Sequence, residues 1–322
     1  MRRKGRVLVA IPAFIAVVGL LWLVGGWWRG GPLQKTSEFT VREGSTLTSV
    51  ASDLSQAGAI GSARDFLIRA KLLGSHDPVQ AGDFQFPRHA SEAGILDQLQ
   101  HGKPIRRLVT IPEGMPSIMV YERLMAEPLL TGTISVPAEG SVLPDSYAFQ
   151  RGDTRASLLK RMQDAMAKFL ATAWAQRKPS AVVTTPEQAV TLASIVEKET
   201  GKEGERRMVA GVLSNRLRIG MMLGADATTI YPITKGKPLG RMIRESELRD
   251  RNPYNTRAVA GLPPGPITNP GRASILAVLD PAPTKALYYV ADGTGGHVFS
   301  ETLEEHNRNV AKWRAIRKER GE

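Results

Sequence analysis

The run from Val7 to Val24 constrains this chain before anything else does. It holds no charged residue, and with Gly25-Gly26-Trp27-Trp28 it reaches the roughly 20 residues a helix needs to cross a bilayer. Arg2, Arg3, Lys4 and Arg6 precede it, a bias that keeps an N-terminus in the cytoplasm. Trp22, Trp27 and Trp28 mark its far end, where indole rings favour the lipid–water interface. The chain then reads Gly-Gly-Trp-Trp-Arg-Gly-Gly-Pro, with no small-x-small cleavage site, so an uncleaved signal anchor is expected rather than a removed signal peptide. Residues 7–28 are therefore expected in a membrane. Everything beyond residue 30 is expected outside the cytoplasm, where extracytoplasmic polymers are more natural substrates than nucleotides.

The rest of the chain has the composition of an ordinary folded protein. Of 322 residues, 42% are hydrophobic and 23% charged, enough for one large or two medium domains to bury a core. The net charge of +12 is weighted to the two ends: the basic tip, and a tail from Arg308 to Glu322 that reads as a solvated helix end. Aromatic content of 6% argues against a base-stacking surface, so no nucleic acid is expected as a partner. The absence of cysteine excludes a disulfide scaffold, a thiolate metal site and a cysteine nucleophile. There is no His-Glu-x-x-His, no Gly-x-Ser-x-Gly elbow, no phosphate-binding glycine loop and no dinucleotide fingerprint, so neither metal nor cofactor is expected.

Periodicity predicts an α+β protein in successive parts: 1–30 as basic tip and anchor, 31–38 as linker, 39–103 as a small module, and 104–322 as a larger mixed α+β domain. In the module, Phe39–Val41 and Gly82–Phe86 alternate as strands, with helices near Leu47–Leu54 and Ala63–Leu73 between them and a further short helix over residues 90–99. In the larger domain, Leu108–Ile111 reads as a strand. Helices are expected over 118–126, 154–172 and 186–200, and the stretches 132–145 and 261–271, rich in proline and glycine, read as loops. Asp292-Gly293-Thr294-Gly295-Gly296 turns a hairpin, and a helix over 301–319 ends the fold.

One segment carries chemistry on its face. On a helix over residues 186–200, at about 100° per residue from Leu192, Ile195 falls near −60°, Val196 near +40° and Glu199 near −20°. Glu199 thus lies within the apolar stripe, while Glu197, at about 140°, points away beside Lys198. A carboxyl on a buried face is costly when charged, and burial raises its pKa. That is the state a general acid needs near neutral pH. A glutamate that merely partners Arg206 or Arg207 is the structural alternative.

Here the sequence resembles the endolytic murein transglycosylase family, also called YceG-like. Ala193-Ser194-Ile195-Val196-Glu197-Lys198-Glu199-Thr200 resembles its catalytic helix. Further matched segments follow in order: 212–221, Tyr254-Asn255-Thr256, Gly261–Ile267, Val290–Phe299 and His306-Asn307, with Glu139–Tyr147 earlier. The resemblance implies that Glu199 is the catalytic acid and base, and that residues 39–103 form a LysM-like, carbohydrate-binding type of module. It also implies that the substrate is peptidoglycan, cut between N-acetylmuramic acid and N-acetylglucosamine with a 1,6-anhydro product, and that the enzyme trims nascent strands beside peptidoglycan synthases at the bacterial inner membrane, its catalytic domain periplasmic. Glu139, Asn215, Asp226, Tyr254 and Asn255 are polar groups in or beside matched segments and are candidates to line the glycan cleft, while His297 and His306 read as structural. The chain departs from the family at the loop 225–232, with Ala227 where proline commonly follows the aspartate. It departs again at Arg257, in place of an aromatic, and at Leu143, where an aromatic is frequent. The competing reading is a membrane-anchored glycan-binding or scaffold protein without turnover, in which Glu199 only accepts hydrogen bonds.

Overall fold

The computed structural model describes residues 3–320, with side chains from Phe14 onward. The side chains of the basic tip and of the first part of the expected membrane segment lie outside the described residues. The chain forms two compact units: one runs to Arg107 and takes in residues 148–151, and the other comprises 108–147 and 152–322.

The first unit begins with helix α1 (Arg3–Trp28). Phe14, Ile15, Val17, Val18, Leu20, Leu21 and Trp28 are exposed along it. Among the described residues no helix is long and apolar enough to cross a membrane. The end of α1 is docked: Trp27 is only 3% exposed and lies 6.1 Å from the ring of Phe66. Strand β1 (Ser37–Val41), helices α2 (Leu47–Gln56) and α3 (Ala63–Leu73), and strand β2 (Gly82–Phe86) follow, then α4 (Glu92–His101). β1 and β2 pair antiparallel, with Phe39 opposite Phe84. This is the strand–helix–helix–strand order that periodicity predicts. Each helix starts where a hydroxyl can satisfy an orphan amide: Thr46 accepts from Ser49, Ser62 from Asp65 and Ser91 from Gly94. Val50, Leu54, Phe66, Phe84, Phe86, Ile95, Leu96 and Leu99 fill the core between sheet and helices. Three buried charges are paired within this unit. Asp83 accepts from Thr40 at 2.5 Å and from Arg107, and Arg69 meets Glu92 at 2.9 Å.

From β3 (Arg107–Thr110) onward the chain runs through α5 (Ser117–Ala126) and β4 (Ser146–Phe149). Helices α6 (Arg155–Ala175), α7 (Pro186–Glu199), α8 (Arg206–Arg218), α9 (Asp226–Thr234), α10 (Glu245–Arg249) and α11 (Arg272–Leu279) follow. Strands β5 (Tyr288–Ala291) and β6 (His297–Ser300) make the expected hairpin, and α12 (Leu303–Arg320) ends the described chain. The core lies where α7, α8 and α11 pack, with Leu192, Ile195, Val196, Val209, Leu213, Ile275 and Val278 fully buried.

Within the stretch 225–232, expected as a loop, residues 226–232 are helical in α9 despite Pro232, with Ala225 as the extended N-cap. Buried hydroxyls stabilise that short helix: Thr228 Oγ1 lies 2.8 Å from Thr256 Oγ1, and Thr229 Oγ1 donates to Asn255 Oδ1 at 2.8 Å.

Candidate functional site

α7 brings Glu199 to the site. Thr185 caps its start by accepting from Gln188, Pro186 occupies the first turn, and every residue from Ala189 to Val196 is buried. Glu199 is the last helical residue, where the negative end of the helix dipole disfavours a charged carboxylate. Its carboxyl faces a cavity of about 260 Å³ lined by Glu199, Arg216, Gly224, Asp226, Arg257, Tyr289 and His306. Tyr289, on β5, donates its hydroxyl to Glu199 Oε2 at 2.8 Å.

The charges in this cavity are fixed from several elements. Arg216, on α8, donates Nε to the carbonyl of Leu287 at 2.7 Å and Nη1 to that of Leu223 at 2.5 Å. Its guanidinium carbon lies 5.6 Å from the centre of the Tyr289 ring, close enough for cation–π attraction. Asp226, at the start of α9, accepts from Arg257 Nε at 2.5 Å. His306, on α12, stacks on Tyr288 with ring centres 5.2 Å apart.

Burial sets the protonation states. It pushes the Glu199 carboxyl above the ordinary glutamate range; the Tyr289 hydrogen bond opposes this and the charge of Asp226 adds to it. Burial and the nearby Glu199 carboxylate push the Tyr289 hydroxyl well above its usual value, so it stays a donor. Burial, with the charge of Arg216, pulls the His306 imidazole down toward the neutral form.

Of the residues expected to act in or line the glycan cleft, the fold brings Glu199 and Asp226 to this cavity and leaves Glu139, Asn215, Tyr254 and Asn255 elsewhere. Glu139 accepts the amide of Ser117 at 2.8 Å, at the start of α5, and its carboxyl is raised by burial. Asn215 ties α8 to the segment before β5, donating to the carbonyls of Thr284 at 2.8 Å and Ala286 at 3.0 Å. Tyr254 packs on Tyr231 with ring centres 4.8 Å apart. Asn255 is 1% exposed and gathers the carbonyls of Glu247, Leu248 and Asp250.

Glu197, which the helical wheel turns away from the apolar stripe, buries its side chain against other elements. Its side chain is 6% exposed, accepts from the amide of Gly271 at 2.8 Å and lies 3.6 Å from Arg206. The wheel describes one helix in isolation, whereas both of these partners come from other elements. Arg216, inside the matched segment 212–221, and Arg257, noted in the sequence only as a departure from the family, both line the cavity with Tyr289, and no helical wheel could bring the three together because each comes from a different element. Tyr289 stands just before the matched segment Val290–Phe299, and the sequence alone assigns it no role. His306, read as structural, also lines the cavity. Among the described residues no group of three or more His, Cys, Asp or Glu side chains is placed to hold a metal ion.

Comparison with known proteins bears on what such a site is for. A sequence profile described as the YceG-like family matches residues 39–312. The chain belongs to the YceG-like family. It is 27% identical to the endolytic murein transglycosylase of Bacillus subtilis (strain 168) over 326 aligned positions, covering 90% of this chain and 89% of that protein. It is 30% identical to the endolytic murein transglycosylase of Streptococcus pneumoniae (strain D39), covering 84% of this chain and 57% of the longer pneumococcal protein. A crystal structure of a yceG-like protein from Listeria monocytogenes superposes with a TM-score of 0.54 at 26% identity, over 85% of this chain and 98% of that one.

Proposed function

We propose that the chain is a lytic transglycosylase of peptidoglycan and that Glu199 is its catalytic acid and base. The observation that carries this reading is the Glu199 carboxyl itself: at a helix end, in a small cavity, held above the ordinary carboxylate range by burial and oriented by Tyr289. The names of the relatives in Bacillus and Streptococcus supply the substrate and the reaction class.

Protonated Glu199 gives its proton to the glycosidic oxygen between N-acetylmuramic acid and N-acetylglucosamine as the bond from that oxygen to the muramyl C1 breaks. The resulting carboxylate then takes the proton of the muramyl 6-hydroxyl as that oxygen closes onto C1. A 1,6-anhydro end forms and no water is consumed. One carboxyl suffices because the nucleophile is already tethered to the reacting sugar, whereas ordinary glycosidases place two carboxyl groups around the bond. The Tyr289 hydroxyl suits both halves: it orients the acid and stabilises the carboxylate left after the first transfer. Arg257 keeps Asp226 in an ion pair beside it.

The remainder of the reading concerns place and partners. The uncharged run from Val7 and the apolar side chains exposed along α1 support a single-pass anchor in the inner membrane, N-terminus inside and the catalytic unit periplasmic. The antiparallel β1–β2 pair with two helices between its strands supports a LysM-like, glycan-binding role for the first unit. An enzyme so anchored would meet nascent strands beside peptidoglycan synthases and end their growth.

The test is digestion of purified peptidoglycan by the protein, with mass spectrometry of the fragments. Anhydromuramyl ends should appear with the wild type and vanish with Glu199→Gln. Equal yields from a folded Glu199→Gln protein would remove Glu199 from the chemistry and leave the glycan-binding reading.

A further inference from the structure

A second cavity, of about 330 Å³, is built on the sequence neighbours of the first: Lys198 follows from α7 beside Glu199, and Ala227 from α9 beside Asp226. Its walls are mostly carbon, from Met115, Pro116, Met119, Ile230, Leu239 and Ile267. No aromatic ring lines it, and a sugar would leave most of its hydroxyls without partners there.

Its charges are few. Lys198 Nζ makes one long bond, 3.4 Å, to the Gly114 carbonyl, so donors remain for another acceptor. Lys237 Nζ reaches Glu122 at 2.5 Å and likewise keeps donors. The one carboxyl in the lining, Glu113, is turned toward Arg206 at 3.3 Å. Gly236 holds this rim in place: its φ of +85° suits glycine, and a Cβ there would lie 2.7 Å from Pro116 Cβ. A small apolar cavity edged by two ammonium groups fits a short peptide with methyl side chains and free carboxylates.

We infer that this cavity receives the alanine- and carboxylate-bearing part of the peptide stem of peptidoglycan, the short peptide borne by the muramyl sugar, while Glu199 acts on the adjoining glycosidic bond. The inference rests on the peptidoglycan reading above. It makes the stem a specificity element: glycan carrying stems should be cut faster than glycan stripped of them.

The experiment compares kcat/KM of the full chain on stem-bearing strands and on strands stripped by an amidase, for the wild type, Lys237→Glu and Leu239→Asp, with melting curves to establish folding. The wild type should favour stem-bearing strands by about tenfold or more, and each folded variant should bring that ratio toward one while cutting stripped strands at the wild-type rate. Equal wild-type rates on the two substrates, or variants that slow both alike, would overturn the subsite while leaving the enzyme reading intact. Cleavage of neither substrate by the wild type would sink both.

Discussion

A carboxyl that burial holds in its protonated form weakens the fold once it ionises, and Glu199 is in that position. Its folded pKa lies above the unfolded value, so the folded state binds the proton more tightly. The stability this confers is complete below the unfolded pKa and is lost as pH rises through the folded one. Glu199→Gln, which cannot ionise, should therefore gain in melting temperature over the wild type as pH rises through the Glu199 pKa and lose that advantage below the unfolded glutamate value. A difference independent of pH would contradict the assignment. The same proton governs turnover, because the acid must be protonated to act, so activity should fall as pH rises through the Glu199 pKa. Tyr289→Phe removes a donor to the carboxylate. It should move that alkaline limb upward and lower kcat by roughly tenfold or more, which a pH–rate profile would reveal. At this scale the sequence disclosed part of the site. Helical periodicity alone set Glu199 on the buried stripe, and the matched segments included or flanked Asp226 and Asn255. It could not separate Asp226, which reaches the cavity, from Asn255, which gathers backbone carbonyls, because that depends on which carbonyls the fold brings near.

At the scale of elements, the last turn of α7 depends on a clamp. Glu197 accepts from the amide of Gly271, which caps the start of α11, and meets Arg206 at the start of α8. Glu197→Ala would leave that amide without its acceptor and Arg206 with Glu113 as its remaining carboxylate, at a cost of about 2 kcal/mol, and Glu197→Gln, which keeps an acceptor for the amide, should cost less. Chemical denaturation of the two variants measures the difference; equal losses would mean that the amide contact contributes nothing. Elements fixed by local rules were the readable ones. The helices of the first unit have hydroxyl caps and clear apolar periodicity, and the hairpin of β5 and β6 has its glycine turn. α9 is different: threonines and a proline read as a loop, and it is helical because Thr228 and Thr229 find buried partners some 26 to 28 residues away in sequence. β4 spans only four residues, too few for the alternation of Ser-Tyr-Ala-Phe to stand out from the loop around it.

At the scale of the whole molecule, the proposed function requires an anchor, a glycan-binding unit and a cutting unit on one chain. A protein beginning at residue 30 should leave the membrane fraction. It should still cut purified strands at close to the full-length rate, since Glu199 and its cavity lie in the second unit. In cells it should fail to shorten nascent glycan, measured as strand length by chromatography of amidase-treated sacculi. Retention of the truncated protein in the membrane would contradict the anchor. The central claim is that Glu199 drives an internal transfer rather than hydrolysis. Digesting peptidoglycan in heavy-oxygen water tests it most directly: anhydromuramyl ends carrying no label, and none at all with Glu199→Gln, are predicted, whereas labelled reducing ends would make the enzyme a hydrolase and contradict the account.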